Sequence, residues 1–242
     1  MSEGTDPHIA EASRREVESD APLWALYDTA FPAEEREPRS VTHAGLERGL
    51  VDVLRLRSTG ETLGFAIVHR LVEPEAAFLV YLAVAPNARG KGLGAALFEE
   101  VARRSRGGVV WEVDRPAMAS DAAERALRER RQRFFERLGG RIVFSDYLQP
   151  ALHGPSPVPM ALMAFGAALS APVEALVHAL YFEKYAALNG ASGVLASVGS
   201  LALCMEFGFK NVAFFGVAAY VVAWLLLYLN SRSSGAGAPS TA

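Results

Sequence analysis

Charge is spread very unevenly along this 242-residue chain. Of 24 basic and 27 acidic side chains, only Glu174, Glu183, Lys184, Glu206, Lys210 and Arg232 lie beyond residue 150. Water solvates so uncharged a stretch poorly, which rules out one uniform soluble domain and leaves a soluble unit with an apolar appendage. The charged part is long enough to bury a core of its own. A net charge of −3 offers no cluster of cations for a phosphate backbone, so nucleic acid is not an expected partner. Cys204 stands alone, which excludes an internal disulfide and a cysteine zinc site and fits a reducing compartment. The first 20 residues are charged and hold no apolar run, so no secretory signal is expected.

Periodicity resolves the charged part into helices and strands. Residues 1–12 are polar and aperiodic, as in a loose, disordered leader. Asp20 is placed to cap a first helix, Pro22 suits its first turn, and Leu23, Leu26, Tyr27 and Ala30 line one face before Pro32 ends it. A second helix is predicted from Ser40 to Leu50, then strands Val51 to Arg57, Thr62 to His69 and Ala77 to Val84, the first two joined by a turn at Ser58-Thr59-Gly60. Leu93, Leu97 and Val101 mark a third helix, and Val109 to Val113 reads as the next strand. Asp121 to Leu138 is a charged helix stopped by Gly139-Gly140. Strands Arg141 to Ser145 and Val158 to Phe165 follow, separated by a loop with Pro150, Pro155 and Pro157. The pattern predicts an α/β fold, a mixed sheet flanked by helices.

The stretch Tyr81-Leu82-Ala83-Val84-Ala85-Pro86-Asn87-Ala88-Arg89-Gly90-Lys91-Gly92-Leu93-Gly94 ends a strand at a proline and opens a helix through a glycine-rich turn. Such a turn suits an anion: glycines admit close approach, successive N–H groups converge, and the helix dipole adds to Arg89 and Lys91. A pyrophosphate is the expected ligand. The stretch resembles motif A of the GCN5-related N-acetyltransferases, V-x-P-x-x-R/Q-G-x-G-x-G/A, matched by Val84, Pro86, Arg89, Gly90, Gly92 and Gly94. Phe31-Pro32-Ala33-Glu34-Glu35-Arg36 looks like that family's loop between its first two helices, and Phe134-Phe135-Glu136-Arg137-Leu138-Gly139 like its F-Y-E-x-L-G helix end. The resemblance covers residues 13–166. It implies an acetyl-CoA-dependent N-acetyltransferase with acetyl-CoA as acyl donor and no metal. Acetyl-CoA would lie between the strand ending at Val84 and the strand around Glu112, its pantetheine on the backbone of Leu82, Ala83 and Val84, its pyrophosphate on Arg89, Gly90, Lys91, Gly92, Leu93 and Gly94. The acceptor would be a primary amine of a small molecule or a protein.

Two departures bear on mechanism. The tyrosine of F-Y-E-x-L-G, which can protonate the departing thiolate, is Phe135 here, and the carboxylate often found before Tyr-Leu-Ala-Val is Val80. Acyl transfer to an amine still needs a base. Glu112, mid-strand in Val110-Trp111-Glu112-Val113-Asp114, is the candidate, against the alternative of a surface or ion-paired glutamate. Tyr147 is a candidate proton donor, against a purely packed hydroxyl. The departures also motivate an alternative function, a catalytically weak acetyl-CoA-binding sensor or scaffold at a membrane. His8, His43, His69, His153 and His178 show no metal-ligand spacing, and the arginines of the 121–138 helix interleave with Glu124, Glu129 and Glu136 as a solvated ion-pair face. The loop residues Glu34, Glu35 and Arg36 read as solvated, with selection of a charged acceptor as the alternative.

The appendage carries two uncharged runs, Tyr185 to Met205 and Asn211 to Ser231, each long enough to cross a hydrocarbon core of about 30 Å. A connecting helix over 167–184, a transmembrane hairpin over 185–230 and a flexible Ser/Gly/Ala-rich tail over 231–242 are the expectation. Two crossings would tether the enzyme to membrane lipid with its catalytic domain in the cytoplasm. The alternative is an apolar hairpin buried against the domain or in a homodimer.

Overall fold

A computed structural model describes residues 6–152 and 156–185. Its strands are β1 (His8–Glu11), β2 (Val51–Ser58), β3 (Glu61–Val72), β4 (Glu75–Val84), β5 (Val109–Asp114), β6 (Arg141–Gln149) and β7 (Val158–Phe165). They form one mixed sheet in the order β1-β2-β3-β4-β5-β7-β6, parallel at the β4–β5 junction and antiparallel elsewhere. The helices are α1 (Arg14–Ser19), α2 (Ala21–Ala30), α3 (Arg39–Glu47), α4 (Leu93–Arg104), α5 (Ala122–Arg137) and α6 (Val173–Ala179).

Strand alternation divides the interior into two cores. On one face Leu54, Ala66, Leu79, Trp111, Val113 and Met163 pack against Leu97, Phe98 and Val101 of α4 and Phe135 of α5. On the other, Val53, Phe65, Ile67, Tyr81 and Ala83 pack against Val17 of α1 and Leu23, Trp24, Leu26 and Tyr27 of α2. β4 serves both cores because its register with β3 slips by one residue: Ile67 faces Tyr81 while Val68 faces Leu79, so Val80 is a bulge. Before it Ala77 and Leu79 point to the α4 side; after it Tyr81 and Ala83 point to the α2 side.

The predicted elements between residues 20 and 165 are present, with Asp20 capping α2 at Leu23 N (2.9 Å) and the 58–60 turn closed by Thr59 and Gly60 at positive φ. Three readings are corrected. The stretch expected to be a loose leader contains β1, paired to β2 from His8↔Arg57 to Glu11↔Leu54, and α1 opens immediately after residue 12 with a capping box between Ser13 and Glu16. An edge strand of mixed polarity draws its order from ladder hydrogen bonds, which leave no periodic signal in the sequence. The strand expected to end at Ser145 runs to Gln149 through two register shifts, which break its alternation. The expected connecting helix is a 3₁₀ turn (Gly166–Ser170), then α6, then a π-helical turn (Leu180–Tyr185).

No helix among the described residues is long and apolar enough to cross a membrane. The run Asn211 to Ser231, the 231–242 tail, and the run from Tyr185 to Met205 except its first residue lie outside the described residues. Tyr185 itself is buried in the domain, at 2% exposure.

Candidate active site

Pairing between β4 and β5 is confined to Ala77↔Val109 and Phe78↔Val110. Beyond that point β4 stays with β3 as far as Val84↔Gly64, while β5 stays with β7 as far as Asp114↔Met160. The sheet therefore opens between the two strands, and the backbone groups of β4 from Leu79 to Val84 on that side have no strand partner. Leu82, Ala83 and Val84 form one wall of the opening and Glu112 lies on the other.

At the top of the β4 wall the chain passes through a 3₁₀ turn (Pro86–Ala88) into the exposed stretch Arg89, Gly90, Lys91 and Gly92, and α4 begins at Leu93. Gly90 and Gly92 adopt φ of 78° and 76°, and a Cβ at either would meet nothing within 4 Å. The positive φ calls for glycine, and the empty space beside it is where an anion could approach the backbone. Gly92 is the N-cap of α4 and offers no side chain to it, so the first-turn N–H groups of Leu93 and Gly94 point outward at the positive end of the helix dipole. Arg89 Nε donates to Val84 O at 3.0 Å, tying the guanidinium to the strand end. These residues fit a pyrophosphate.

Glu112 points to the α2 side of the sheet, opposite Trp111 and Val113. Its carboxylate is partly buried and held by three donated contacts: Tyr185 Oη reaches Oε1 at 2.8 Å and Oε2 at 2.7 Å, and Gln149 Nε2 reaches Oε2 at 2.6 Å. Gln149 Nε2 also donates to Tyr185 Oη at 3.2 Å. Tyr147 and Gln149, two apart on β6, share a face. The Tyr147 ring is fully buried, and its hydroxyl interacts electrostatically with Glu112 yet forms no hydrogen bond of good geometry. Burial raises the Glu112 carboxyl above its ordinary pKa, opposed by donation from Tyr147, Tyr185 and Gln149 and by the charge of Lys184. Burial, reinforced by the Glu112 charge, holds the Tyr147 and Tyr185 phenols well above the usual phenol range.

Behind this cluster Lys184 Nζ is paired with Glu37 at 2.7 Å and 2.8 Å, both side chains nearly inaccessible. Glu37 belongs to the segment after α2, whose backbone is fastened by Tyr81 and Tyr27: Glu37 N donates to Tyr81 Oη at 2.9 Å, Tyr81 Oη donates to Glu35 O at 2.9 Å, and Tyr27 Oη donates to Glu37 O at 2.9 Å. Phe135 lies on the opposite face, packed on Trp111 and Phe98 with ring centroids 4.7 Å and 5.5 Å away, and carries no proton to give. Val80 sits at the bulge. Two arginines of α5 pair along the helix as the sequence suggests, Arg128 with Glu124 and Arg133 with Glu129, while Arg131 reaches Asp114 on β5. Among the described residues no cluster of His, Cys, Asp or Glu could hold a metal ion.

The structure brings Glu112 and Tyr147, separate candidates in the sequence, close together and adds Gln149, Tyr185, Lys184 and Glu37, which the sequence reading missed. The signal for the last pair was present. Glu183 and Lys184 interrupt an apolar segment, and a cation in such surroundings needs a buried partner.

With this arrangement in view, the matches to known proteins are consistent. The model of the acetyltransferase (GNAT) family matches residues 12–139, and the chain belongs to that family. Among solved structures it is similar to a GNAT-family protein from Bacteroides thetaiotaomicron, 22% identical over 72% of this chain and 96% of that one, with a TM-score of 0.60. Lower TM-scores relate it to an aminoglycoside 6'-N-acetyltransferase complexed with coenzyme A (20% identical, 65% and 96% covered, 0.48) and to Arabidopsis thaliana NAA60 in complex with acetyl-CoA (15% identical, 66% and 97% covered, 0.47). No curated protein sequence matches.

His69 tests the burial of this face. It lies on β3 at 5% exposure, with Nδ1 unpartnered, and its pKa is lowered to about 4, first by burial and then by the charge of Lys184. A depressed folded-state pKa means the unfolded chain takes up the proton first. Stability from this group is therefore complete above about pH 6.5 and lost as pH falls toward 4, by about 3 kcal/mol in all. Urea unfolding at stepped pH is expected to show this decline in the wild type, with a shallower slope in His69→Leu over the same window.

Proposed function

We propose that the protein is an acetyl-CoA-dependent N-acetyltransferase that transfers an acetyl group to a primary amine of a small molecule or a protein, with Glu112 as the base. The observation that carries this reading is the opening of the sheet between β4 and β5, with a buried, hydrogen-bonded carboxylate on one wall and an uncapped glycine-rich helix start at the end of the other.

In this reading the backbone of Leu82, Ala83 and Val84 aligns the pantetheine, and Arg89, Gly90, Lys91, Gly92, Leu93 and Gly94 hold the pyrophosphate. Acetyl-CoA supplies the activated acyl group. Glu112 takes the proton from the amine nitrogen as the new C–N bond forms and the C–S bond breaks. Its raised pKa suits that role, because a carboxylate drawn toward neutrality is a stronger base than an exposed one. Tyr147 then replaces the tyrosine lost at Phe135: its hydroxyl is buried, faces Glu112 without a hydrogen bond of good geometry, and gives its proton to the departing thiolate. A membrane tether by residues 186–230, leaving the domain in the cytoplasm, is supported by the two uncharged runs alone.

Three measurements test the scheme. Gly92→Asp places negative charge where the pyrophosphate should lie, in space the fold leaves empty, and is expected to abolish acetyl-CoA binding in calorimetry while the thermal unfolding transition persists; equal affinity would remove the site from the turn. Glu112→Gln is expected to lower kcat by about 10²-fold or more with acetyl-CoA affinity nearly unchanged. An unchanged rate would exclude Glu112 as base, and absence of thiol release from the wild type with any amine would favour the acetyl-CoA sensor. Fractionation is expected to leave the full-length chain in the membrane pellet until detergent is added, and a monomer in the detergent-free supernatant would refute the tether.

A further inference from the structure

We propose that Tyr185, which lies beyond the region matched by the family, is a positioning residue for acyl transfer: its phenol, donated to both oxygens of Glu112, fixes the orientation and the proton affinity of that carboxylate. The proposal rests on the reading of Glu112 as base.

The π-helical turn that carries Tyr185 is fastened to the site by successive side chains. Tyr181 Oη donates to Leu148 O on β6 at 2.5 Å. The Glu183 carboxylate accepts from Val72 N at 2.6 Å and Glu73 N at 3.2 Å, at the end of β3. Lys184 is locked to Glu37 inside the protein. Tyr185 completes the series at Glu112, its ring against Phe78 of β4 with centroids 6.4 Å apart. Four anchors on different elements are more than a loosely packed turn needs. They leave the phenol with one pose, in which its hydrogen is shared between Oε1 and Oε2.

The division of labour between the two phenols follows from their bonding. The Tyr185 hydroxyl donates to both Glu112 oxygens and accepts from Gln149, whereas the Tyr147 hydroxyl faces Glu112 with no hydrogen bond of good geometry. A donor committed to the carboxylate stabilises its charged form, which offsets part of the burial that favours the neutral form. The phenol thus orients the carboxylate and opposes the neutralisation that burial favours. The other groups facing it are Tyr147 and Gln149 from β6 and Tyr181 and Lys184 from the same turn.

The test is a pH titration of the Glu112 carboxyl carbon by NMR in the full-length chain, without substrate. Tyr185→Phe keeps the ring and removes the donor, so the Glu112 midpoint is expected to rise by about one pH unit. The acid limb of kcat/KM, measured with an amine that supports thiol release, is expected to rise with it while KM for acetyl-CoA holds. Fluorotyrosine at position 185, a stronger donor of the same shape, is expected to move both the other way, a reversal that mere packing cannot produce. A midpoint unmoved by both replacements overturns the proposal. If Glu112→Gln retains full rate while the midpoint still shifts, the base assignment fails and the Tyr185–Glu112 coupling stands.

Discussion

One inserted residue in β4 determines where chemistry can occur in this fold. The bulge at Val80 reverses the facing of the strand, so that Leu79 packs toward α4 while Tyr81, two positions on, packs toward α2. It also increases the local twist, and a strand that twists away cannot keep pairing with a parallel neighbour. β4 parts from β5 after Phe78↔Val110, two residues before the bulge. The consequences are coupled: a length of β4 backbone is left without a strand partner, the partly buried Glu112 stands on a wall of the opening with no β4 residue paired beside it, and Tyr81 is aimed at the segment carrying Glu37. An unbulged β4 would close the opening and bury the same side chains in one continuous sheet.

Across the site from that bulge lies a second constraint of a different kind. The Lys184–Glu37 pair joins residues 147 apart, in a setting where neither charge is well solvated. Breaking such a pair from one side leaves the other charge stranded, at about 3–5 kcal/mol. The pair therefore holds the π-helical turn in place rather than merely decorating it, and Tyr185 is the next residue. The position of the phenol against Glu112 is thus tied to an ion pair that takes no part in proton transfer. His69, its pKa lowered by burial and the nearby ammonium, fits the same pattern of a face on which the Lys184 charge is already matched by Glu37.

The sequence exposes those features whose cause is local. Asp20 before Pro22 announces a helix start because a cap acts over three residues. The strand Val158–Phe165 is legible in its run of apolar residues, and the glycine-rich turn in residues that only a tight anion-binding bend requires. Glu112 stands out as a carboxylate in the middle of an apolar strand. What could not be read is set by contacts between distant segments. β1 is ordered by its ladder with β2, and Gln149 lies past register shifts that erase alternation. Tyr185, uncharged and followed by an apolar run, is indistinguishable by composition from the first residue of a membrane segment. Only its neighbours Glu183 and Lys184, charges that find partners far away in the chain, mark it as part of the folded domain.

The placement of Glu112 and its phenols stands apart from position 135, where the resemblance leads one to expect a tyrosine. A hydroxyl at position 135 would have stood on the α4 side, beside Trp111 and Phe98. The chain instead fills that site with an apolar ring, which strengthens the aromatic core, and concentrates its phenols on the Glu112 side. This grouping has an electrostatic logic. A lone carboxylate at this depth would be driven to its neutral form, and a cation placed directly against it would weaken it as a base. Phenols do neither: they donate without charge, so they favour the anion while the surrounding burial keeps its proton affinity above that of an exposed glutamate. Two phenols and an amide surround one carboxylate, and the nearby cation, Lys184, is held on Glu37 and not against it.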